Sequence, residues 1–346
     1  MKGLVLIDQN KVALQEVKKP TIMNETDVLV KIELTTICGS DIHLIHGAIP
    51  TTPGYVLGHE YVGIVEEIGS SVKNLKVGDR VIGPAAPYCG QCDHCLQGKI
   101  AHCFNGGIHG SGKEFGNLSG THSEYICVPF GDVNLIPVPN DLESEQVLFI
   151  GDILSTGYFA AEKGKVEPGD DVVIFGAGPV GLCAVQSVKL FNPKSIILVD
   201  IDPYRLEVGK KLGATHTINS IEVNALEKIA DITNRRGVQV AIEAVGLEDT
   251  FQQAVRAAGI GGRISMVGIY GKNIAFPLPE VFMKNLRLEM GLAYLGHMKK
   301  LMSLVQAGAI DVTPLITHRM SLDEIEYAVE MFEKRQDNVI KIVVRP

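Results

Sequence analysis

Residues 171–191 read DVVIFGAGPVGLCAVQSVKLF, which is a short apolar run, a glycine-rich turn and a longer helical segment. The turn carries Gly176, Gly178 and Gly181 in the pattern G-x-G-x-x-G. The first glycine permits a tight turn, the second the close approach of a pyrophosphate, and the third the packing of helix on strand. A phosphate then lies at the helix N-terminus, where free N–H groups favour an anion. The stretch predicts a dinucleotide site on a parallel α/β sheet.

An acidic residue strengthens this prediction. Asp200 ends the next apolar run, SIILVD, 19 residues beyond Gly181. A carboxylate there accepts hydrogen bonds from ribose hydroxyls and repels a 2′-phosphate, which favours NAD over NADP; the alternative is that Asp200 only caps the strand. Arg205 is predicted to help hold the ribose, with a solvated helix charge as the alternative. The predicted site also includes Pro179, Val180, Val245 and Val267.

The glycine turn lies in the middle of three parts of the chain. Residues 154–294 alternate apolar strand patterns with longer helical segments, as in a parallel α/β sheet. Residues 295–346 end in NVIKIVVRP, which predicts one more strand. Residues 1–153 are rich in short β-type runs separated by glycine and proline, namely DVLVKIEL (27–34), EYVGIVEEIG (60–69), GDRVIG (78–83) and SEYICVP (123–129).

Four of the seven cysteines lie in one loop, PYCGQCDHCLQGKIAHC, residues 87–103. The spacing of Cys89, Cys92, Cys95 and Cys103 is C-x2-C-x2-C-x7-C. Short gaps let thiolates surround one ion, and four thiolates make a closed tetrahedral zinc site of the structural kind. An iron–sulfur cluster, a redox thiol group and a loop without metal are the alternatives. His94 is interpreted as a bystander.

The composition limits the class of protein. The 346 residues carry a net charge of −8, with 46% hydrophobic and 21% charged residues. This acidic balance argues against nucleic acid or an anionic membrane as a partner, because both need a basic face. We expect a cytoplasmic protein, since neither a signal-peptide core nor an apolar run of membrane-spanning length is found. A reducing compartment favours reading the clustered cysteines as thiolates.

Six motifs in a fixed order resemble those of the zinc-dependent medium-chain alcohol dehydrogenases. They are CGSDIH, GHEYVGIVEEIG, VGDRV, the four-cysteine loop, GDILSTGYFAAE and GAGPVG. The resemblance covers essentially the whole chain. It implies an α/β fold in which a GroES-like, β-rich catalytic domain, residues 1–153 and 295–346, carries a Rossmann coenzyme domain, residues 154–294. It also implies two zinc ions per subunit, one structural and one catalytic.

The resemblance implies that Cys38, His59 and Asp152 hold the catalytic zinc, with Glu60 as a nearby or transient ligand. Three protein ligands leave an open position for water or alcohol. Horse-liver-type members carry cysteine at the position of Asp152, whereas aspartate occurs in bacterial secondary-alcohol dehydrogenases and in some formaldehyde dehydrogenases. The alternative is that Asp152 caps the helix that begins near residue 153.

The same resemblance assigns further roles. Ser40 accepts the alcohol proton and passes it through the nicotinamide ribose to His43, whose pKa suits the outer end of a relay. Lys341, in VIKIVV, corresponds to a basic residue that contacts the pyrophosphate. His46, His109 and His122 are interpreted as structural or exposed.

The implied function is reversible hydride transfer between an alcohol and NAD. Asp152 and DILSTGY favour a small secondary alcohol; a polyol, a vicinal diol such as 2,3-butanediol, threonine and a primary alcohol stay open as substrates. Family members of this length are often tetramers, with a dimer as the alternative. A non-catalytic nucleotide-binding protein and a redox sensor that uses the cysteine loop are the alternatives from other classes.

Overall fold

The computed structural model describes all residues from Met1 to Pro346. They form two units: Met1–Ser155 together with Tyr294–Pro346, and Thr156–Ala293, called unit 1 and unit 2 below.

The fifteen strands, β1 to β15, are Lys2–Asp8, Lys11–Glu16, Val28–Thr36, Tyr61–Ile68, Arg80–Ile82, Tyr125–Val128, Ile136–Pro137, Asp171–Phe175, Ser195–Asp200, His216–Asn219, Val238–Glu243, Ala258–Met266, Arg287–Met290, Ile316–Ser321 and Lys341–Arg345. The twelve α-helices, α1 to α12, are Gly39–Ile45, Asp93–Leu96, Gly131–Asn134, Ser144–Val147, Ile153–Lys163, Pro179–Lys189, Pro203–Leu212, Ala225–Ile232, Glu248–Ala257, Leu278–Val281, Met298–Gln306 and Ile325–Glu333. None of these helices combines the length and the apolar character needed to span a bilayer.

Unit 2 is built on a six-stranded sheet whose adjacent strands are all parallel. Its spatial order is β10-β9-β8-β11-β12-β13, which is 3-2-1-4-5-6 in chain order. This is the Rossmann order, in which ligands bind beyond the carboxyl ends of the strands where the order reverses. Every residue of β8 is buried, as expected for a strand covered on both faces. The predicted strand, glycine turn and helix of residues 171–191 are confirmed as β8, Gly176–Gly178 and α6.

The glycine turn is shaped by one left-handed residue and one close approach of the backbone. Gly176 has φ of 102°, a left-handed conformation that favours glycine. A Cβ on Gly181 would lie 1.8 Å from the carbonyl oxygen of Gly176, so the helix enters the turn too closely for any side chain. Gly178 caps α6 and has open space at the same position, and Pro179 begins the helix.

Unit 1 is built around β3, the longest strand of a seven-stranded sheet. Six of these strands have the order β14-β15-β3-β4-β5-β7, and the seventh, β6, pairs with β3. β3 runs antiparallel to β4, β6 and β15. Its first three and last three residues are buried, and its apolar side chains pack with those of β4 and β6. The β-rich pattern predicted for the N-terminal part is therefore confirmed, and NVIKIVVRP forms β15.

The strand register brings distant sequence segments to one end of this sheet. Thr35 pairs with Tyr61 of β4 and with Val344 of β15. The residues that follow β3 therefore lie beside those that precede β4 and those that begin β15, because antiparallel neighbours exchange their ends. Cys38, His59 and Lys341 occupy these three positions.

The glycine turn yields a stability prediction. We expect Gly181→Ala to lower the free energy of unfolding by about 1–3 kcal/mol, because the added methyl group collides with the backbone. Gly178→Ala is the matched control; it enters open space and should change stability by less than about 0.5 kcal/mol. Chemical denaturation of both variants measures the difference. Equal stabilities would contradict the packing role of Gly181.

Candidate metal and dinucleotide sites

Four potential metal ligands meet at the end of the sheet of unit 1: Cys38, His59, Glu60 and Asp152. Their ligand atoms all lie within 4.8 Å of one another. Oδ2 of Asp152 lies 3.4 Å from Nε2 of His59 and 3.6 Å from Sγ of Cys38. Oε2 of Glu60 is buried without a hydrogen-bond partner. A cation would satisfy that oxygen, and the sulfur, nitrogen and oxygen donors suit zinc, so the residues fit such an ion.

Asp41 contacts two of these residues. Its Oδ2 accepts a hydrogen bond of 2.8 Å from the backbone N–H of Cys38, and its Oδ1 lies 3.2 Å from Nδ1 of His59, without the alignment of a full hydrogen bond. Burial opposes a charge on Asp41, but the attraction of His59 and His122 outweighs it and holds the carboxyl pKa well below its usual range. An ionised carboxylate only accepts hydrogen bonds, so Nδ1 of His59 keeps its proton.

The other ring nitrogen of His59 is then the one that can bind a metal. Burial lowers the pKa of His59, but Asp41 and Asp152 outweigh this effect and raise it well above its usual value. Because a metal ligand must be a neutral ring, a cation that binds there displaces the proton from Nε2. Affinity at this site should therefore fall as the pH falls.

Asp152 lies beside the cluster rather than only at the end of a helix. It directly precedes α5, where a cap was the alternative interpretation, but its Oδ2 lies within 3.6 Å of both Cys38 and His59. Burial raises the pKa of its carboxyl, whereas the hydrogen bond and charge of His59 lower it, and the net shift is downward. An ionised oxygen directed at the cluster is what a third ligand requires.

Ser40 also lies at the cluster. Its Oγ is 3.1 Å from Nε2 of His59 and 3.4 Å from Sγ of Cys38. His43 follows one turn later on α1 and is half-buried; burial, together with the charge of His46, lowers its pKa. The helix therefore carries a hydroxyl next to the candidate ligands and an imidazole of reduced basicity beyond it.

Glu60 is held by a buried ion pair. Its Oε1 lies 2.5 Å from Nζ of Lys341, and both side chains are fully buried. The same Nζ donates a hydrogen bond of 2.8 Å to the carbonyl oxygen of Ile37. Burial alone lowers the pKa of Lys341, but the attraction of Glu60 and Cys38 outweighs it and raises the pKa. The lysine therefore balances part of the negative charge at the cluster.

The structure gives Lys341 partners that the sequence did not predict. Its side chain is buried within unit 1, where Nζ donates hydrogen bonds to Glu60 and to the carbonyl oxygen of Ile37. The sequence pattern VIKIVV reads as an ordinary strand and gives no sign of this pairing. The contact of Lys341 with the pyrophosphate of a dinucleotide, which the family resemblance implies, stays a prediction.

The four-cysteine loop forms a second cluster. Sγ of Cys95 lies 3.5 Å from that of Cys92 and 4.0 Å from that of Cys89, and the sulfurs of Cys92 and Cys103 are 3.8 Å apart; all four cysteines are free of disulfides. A tetrahedron with zinc–sulfur bonds of about 2.3 Å has edges of about 3.8 Å, so the spacing fits zinc. Burial opposes a thiolate at Cys89, but N–H donors from the backbone and from Asn105 lower its pKa to about 6. Nδ1 of His94 lies 2.5 Å from the carbonyl oxygen of His102.

Several of the predicted dinucleotide-binding residues of unit 2 lie at the carboxyl ends of the parallel strands. Gly176 follows β8 and packs so closely on Val245, which follows β11, that a Cβ on the glycine would lie 2.6 Å from Cγ2 of the valine. Val267 follows β12 and donates its N–H to the carbonyl oxygen of Glu243 at 2.9 Å. Asp200 ends β9 and accepts a hydrogen bond from the N–H of Ala177. The strand order reverses between β8 and β11, so these residues lie where ligands bind in such sheets.

Arg205 contacts the residue that caps its own helix, and its contact with the ribose stays a prediction. It lies on α7, is 9% exposed, and its Nε is 3.6 Å from Oδ2 of Asp202. Asp202 caps the same helix by accepting hydrogen bonds from the N–H groups of Tyr204 and Arg205. The guanidinium is therefore engaged with the start of its own helix.

Three buried residues contact the candidate metal ligands or the residues around them, and the sequence did not predict these contacts. They are Asp41, His122 and Thr35. Asp41 could have been found, because its position three residues after Cys38 matches the first turn of a helix. Thr35 and His122 carry no such signal, since their partners lie far away in sequence.

The sequence matches two protein-family descriptions. Residues 24–140 match the alcohol dehydrogenase GroES-like domain, and residues 179–307 match the zinc-binding dehydrogenase family. An alcohol dehydrogenase of Cupriavidus necator H16 is 36% identical over 363 residues, which cover 100% of this chain and 99% of the relative. The chain belongs to the zinc-dependent alcohol dehydrogenase family. Membership in this family makes it an oxidoreductase, and the fold of both units agrees with that of the family.

Solved structures and other relatives extend the comparison. Alcohol dehydrogenase TADH from Thermus sp. ATN1 is 37% identical with a TM-score of 0.94, covering 100% of this chain and 99% of that one. A sorbitol dehydrogenase of Bacillus subtilis is 34% identical, covering 100% of this chain and 97% of the relative, and an L-threonine 3-dehydrogenase of Alteromonas mediterranea is 33% identical, covering 94% of each. A putative zinc-binding dehydrogenase of Sinorhizobium meliloti bound to NADP is 29% identical with a TM-score of 0.89, covering 100% and 99%.

The buried ion pair yields a second prediction. Lys341→Met leaves the carboxylate of Glu60 buried and unpaired, and should lower the free energy of unfolding by about 3–5 kcal/mol. The double variant Lys341→Met/Glu60→Gln removes both charges and should recover most of the loss. Denaturation of the two single variants and the double variant forms a thermodynamic cycle. Additive losses in that cycle would show that the two charges do not interact.

Proposed function

We propose that the chain is a zinc- and NAD-dependent alcohol dehydrogenase that catalyses reversible hydride transfer between a small secondary alcohol and NAD. The observation that carries this proposal is the convergence of Cys38, His59 and Asp152, three donors of suitable type within ligand distance of each other. Zinc bound by these residues supplies a Lewis acid that makes the alcohol proton easier to remove. The nicotinamide supplies the hydride acceptor.

The chain's own residues orient the substrate and move its proton. The hydroxyl of Ser40 lies next to the ligand atoms of Cys38 and His59, where it can accept a proton from an alcohol oxygen. His43 is the proposed outer acceptor of that proton, since a neutral imidazole of lowered pKa is available as a base at neutral pH. Asp41 keeps the His59 ring in one tautomer, and Lys341 offsets the charge of Glu60.

A second zinc ion is proposed at the four-cysteine loop. Four thiolates complete a tetrahedral shell and leave no position for a substrate, so its role is structural. The sulfur spacing and the N–H donors that stabilise a thiolate at Cys89 support this assignment. The redox-sensor alternative needs the same loop but gives no role to Cys38, His59 and Asp152.

NAD is the proposed cofactor because of Asp200. Its carboxylate ends β9 beside the glycine turn, and Ala177 donates an N–H to it. A 2′-phosphate there would meet a like charge, whereas ribose hydroxyls can donate to the carboxylate. The preference for NAD is inferred from Asp200 and not from the fold, because a relative with a similar fold is bound to NADP.

The substrate class is proposed from Asp152 and the segment DILSTGY, which favour small secondary alcohols. Relatives named for sorbitol and threonine cover this chain at similar identity, so polyols, vicinal diols and threonine are the alternatives to be tested. Pocket contacts that differ by one methylene discriminate substrates by only about 10–200-fold.

We also propose that the chain forms homo-oligomers, a tetramer in preference to a dimer, that use the outer strand of unit 2. β13 is an edge strand, and the exposed apolar side chains around it include Met290, Met283 and Phe282, exposed by 67%, 82% and 70%. In antiparallel pairing of two copies about Leu288, Arg287 of each copy faces Glu289 of the other. Each copy therefore offers the opposite charge to the other at both positions, as a two-fold interface requires.

The proposed zinc sites predict the metal content of the protein. We expect about two zinc ions per chain by elemental analysis. Asp152→Ala should lose the catalytic ion and keep the structural one, whereas Asp141→Ala, a matched change of an exposed carboxylate, should keep both. An Asp152→Ala protein with full zinc and full activity would contradict the ligand assignment.

The second prediction concerns the reaction. NADH formation should be fastest with 2-propanol and 2-butanol in a panel that includes 2,3-butanediol, ethanol, threonine and sorbitol. Asp200→Ala should shift the NAD-to-NADP preference in kcat/KM toward NADP by about tenfold, because it removes the charge that repels the 2′-phosphate. A preference for a diol, polyol or amino alcohol would contradict the proposed small secondary alcohol and identify the preferred compound's class as the substrate class. Wild-type turnover that favours NADP would overturn the cofactor assignment.

The third prediction concerns assembly. Met290→Lys places a charge on the edge strand and should reduce the mass measured by light scattering, without loss of folding, since Met290 is largely exposed. Ile221→Lys is the control: this side chain is 72% exposed and follows β10, the opposite edge of the same sheet. An unchanged mass for Met290→Lys would reject this edge as the interface.

A further inference from the structure

A second histidine contacts the carboxylate that faces His59. His122 is fully buried, and its Nε2 lies 3.3 Å from Oδ2 of Asp41. Its backbone N–H donates to the carbonyl oxygen of Leu57 at 2.8 Å. Gly58 packs so closely on the ring that a Cβ there would lie 2.5 Å from Nδ1 of His122. The imidazole is therefore fixed both by its own backbone and by the segment that carries His59.

The second nitrogen of His122 is also bound. Nδ1 lies 3.1 Å from Oγ1 of Thr35, and Thr35 and Thr121 both lie within hydrogen-bond distance of the carbonyl oxygen of Glu60, at 2.9 and 3.3 Å. One arrangement gives each of these polar hydrogens an acceptor. Nε2–H of His122 donates to Asp41, the Thr35 hydroxyl donates to Nδ1 of His122, and the Thr121 hydroxyl donates to the carbonyl oxygen of Glu60. No buried proton in this arrangement lacks an acceptor.

The two oxygens of Asp41 then have separate partners. Oδ2 receives the N–H of Cys38 at 2.8 Å and the ring of His122, whereas Oδ1 faces only Nδ1 of His59. Without His122, a carboxylate held by a single N–H could rotate. Its orientation toward His59 would then be less defined, and so would the tautomer of that ring.

We propose that His122 is a positioning residue for the catalytic metal site: it holds Asp41 so that His59 presents Nε2 to the metal. This inference rests on the proposed zinc site of Cys38, His59 and Asp152. The ring of His122 lies within hydrogen-bond distance of Thr35 and Asp41, so it acts on the metal site through Asp41. Mutation of such outer partners typically reduces metal affinity by about 10–100-fold.

The test compares His122→Leu with His122→Gln in the full chain loaded with zinc. Leucine removes both ring nitrogens at similar volume, and glutamine can still donate an N–H toward Asp41. Competition with a zinc chelator should show the catalytic site of His122→Leu weakened about 10–100-fold and that of His122→Gln weakened less. The four-cysteine site should be unchanged in both and serves as the internal control.

The outcomes separate a positioning role from a structural one. Equal weakening of both zinc sites, or a catalytic site of wild-type affinity in His122→Leu, would overturn the inference. If His122→Leu does not fold, Thr35→Val takes its place, because it removes the hydroxyl at Nδ1 and keeps the side-chain shape; selective loss at the catalytic site supports the proposal, and unchanged affinity overturns it. A wild-type chain that binds only one zinc ion would overturn the proposed function together with this inference.

Discussion

The antiparallel pairing of β3 with β4 and β15 is the constraint on which the cluster of candidate metal ligands depends. Thr35 faces Tyr61 on one side and Val344 on the other. Cys38 follows β3 and His59 precedes β4, so a register shift of either strand by one residue would separate them and turn the buried face outward. Asp41 then closes the arrangement by binding the backbone of one ligand and facing the ring of the other.

The same end of the sheet concentrates charge that a protein interior does not readily hold. Asp41, Glu60 and Lys341 are almost completely buried, and Asp152 lies beside them. Two cationic groups offset part of the negative charge: the ammonium of Lys341 pairs with Glu60, and His59, whose pKa is raised well above its usual value, faces Asp41 and Asp152. Buried charges need partners or a metal. A divalent cation that displaces the proton of His59 would bring the sum of these charges close to neutrality, so the charges present are compatible with a bound cation.

The parts of this structure that could be predicted from the sequence are those in which partners are neighbours. The glycine turn and the cysteine loop each bring their residues together within about twenty positions, so spacing alone indicates their chemistry. His122 and Lys341 are 81 and 281 residues from their partners Asp41 and Glu60. A lone histidine or lysine has no periodic or spacing signal, and its partner appears only when the sheet register is known. That is why neither the contact of His122 with Asp41 nor that of Lys341 with Glu60 was predicted.

The two candidate cation sites of unit 1 differ in how far they depend on the fold. The cysteine site uses one loop, residues 87–103, whose backbone N–H groups already support its sulfurs. The other site takes Cys38, His59 and Asp152 from three segments that only the completed sheet and the start of α5 bring together. An ion at that site binds the folded chain and not the unfolded one, so its binding free energy adds to the stability of unit 1. Asp41 and His122 belong to the same buried arrangement, so the geometry of these donors is set by the fold of unit 1 as a whole.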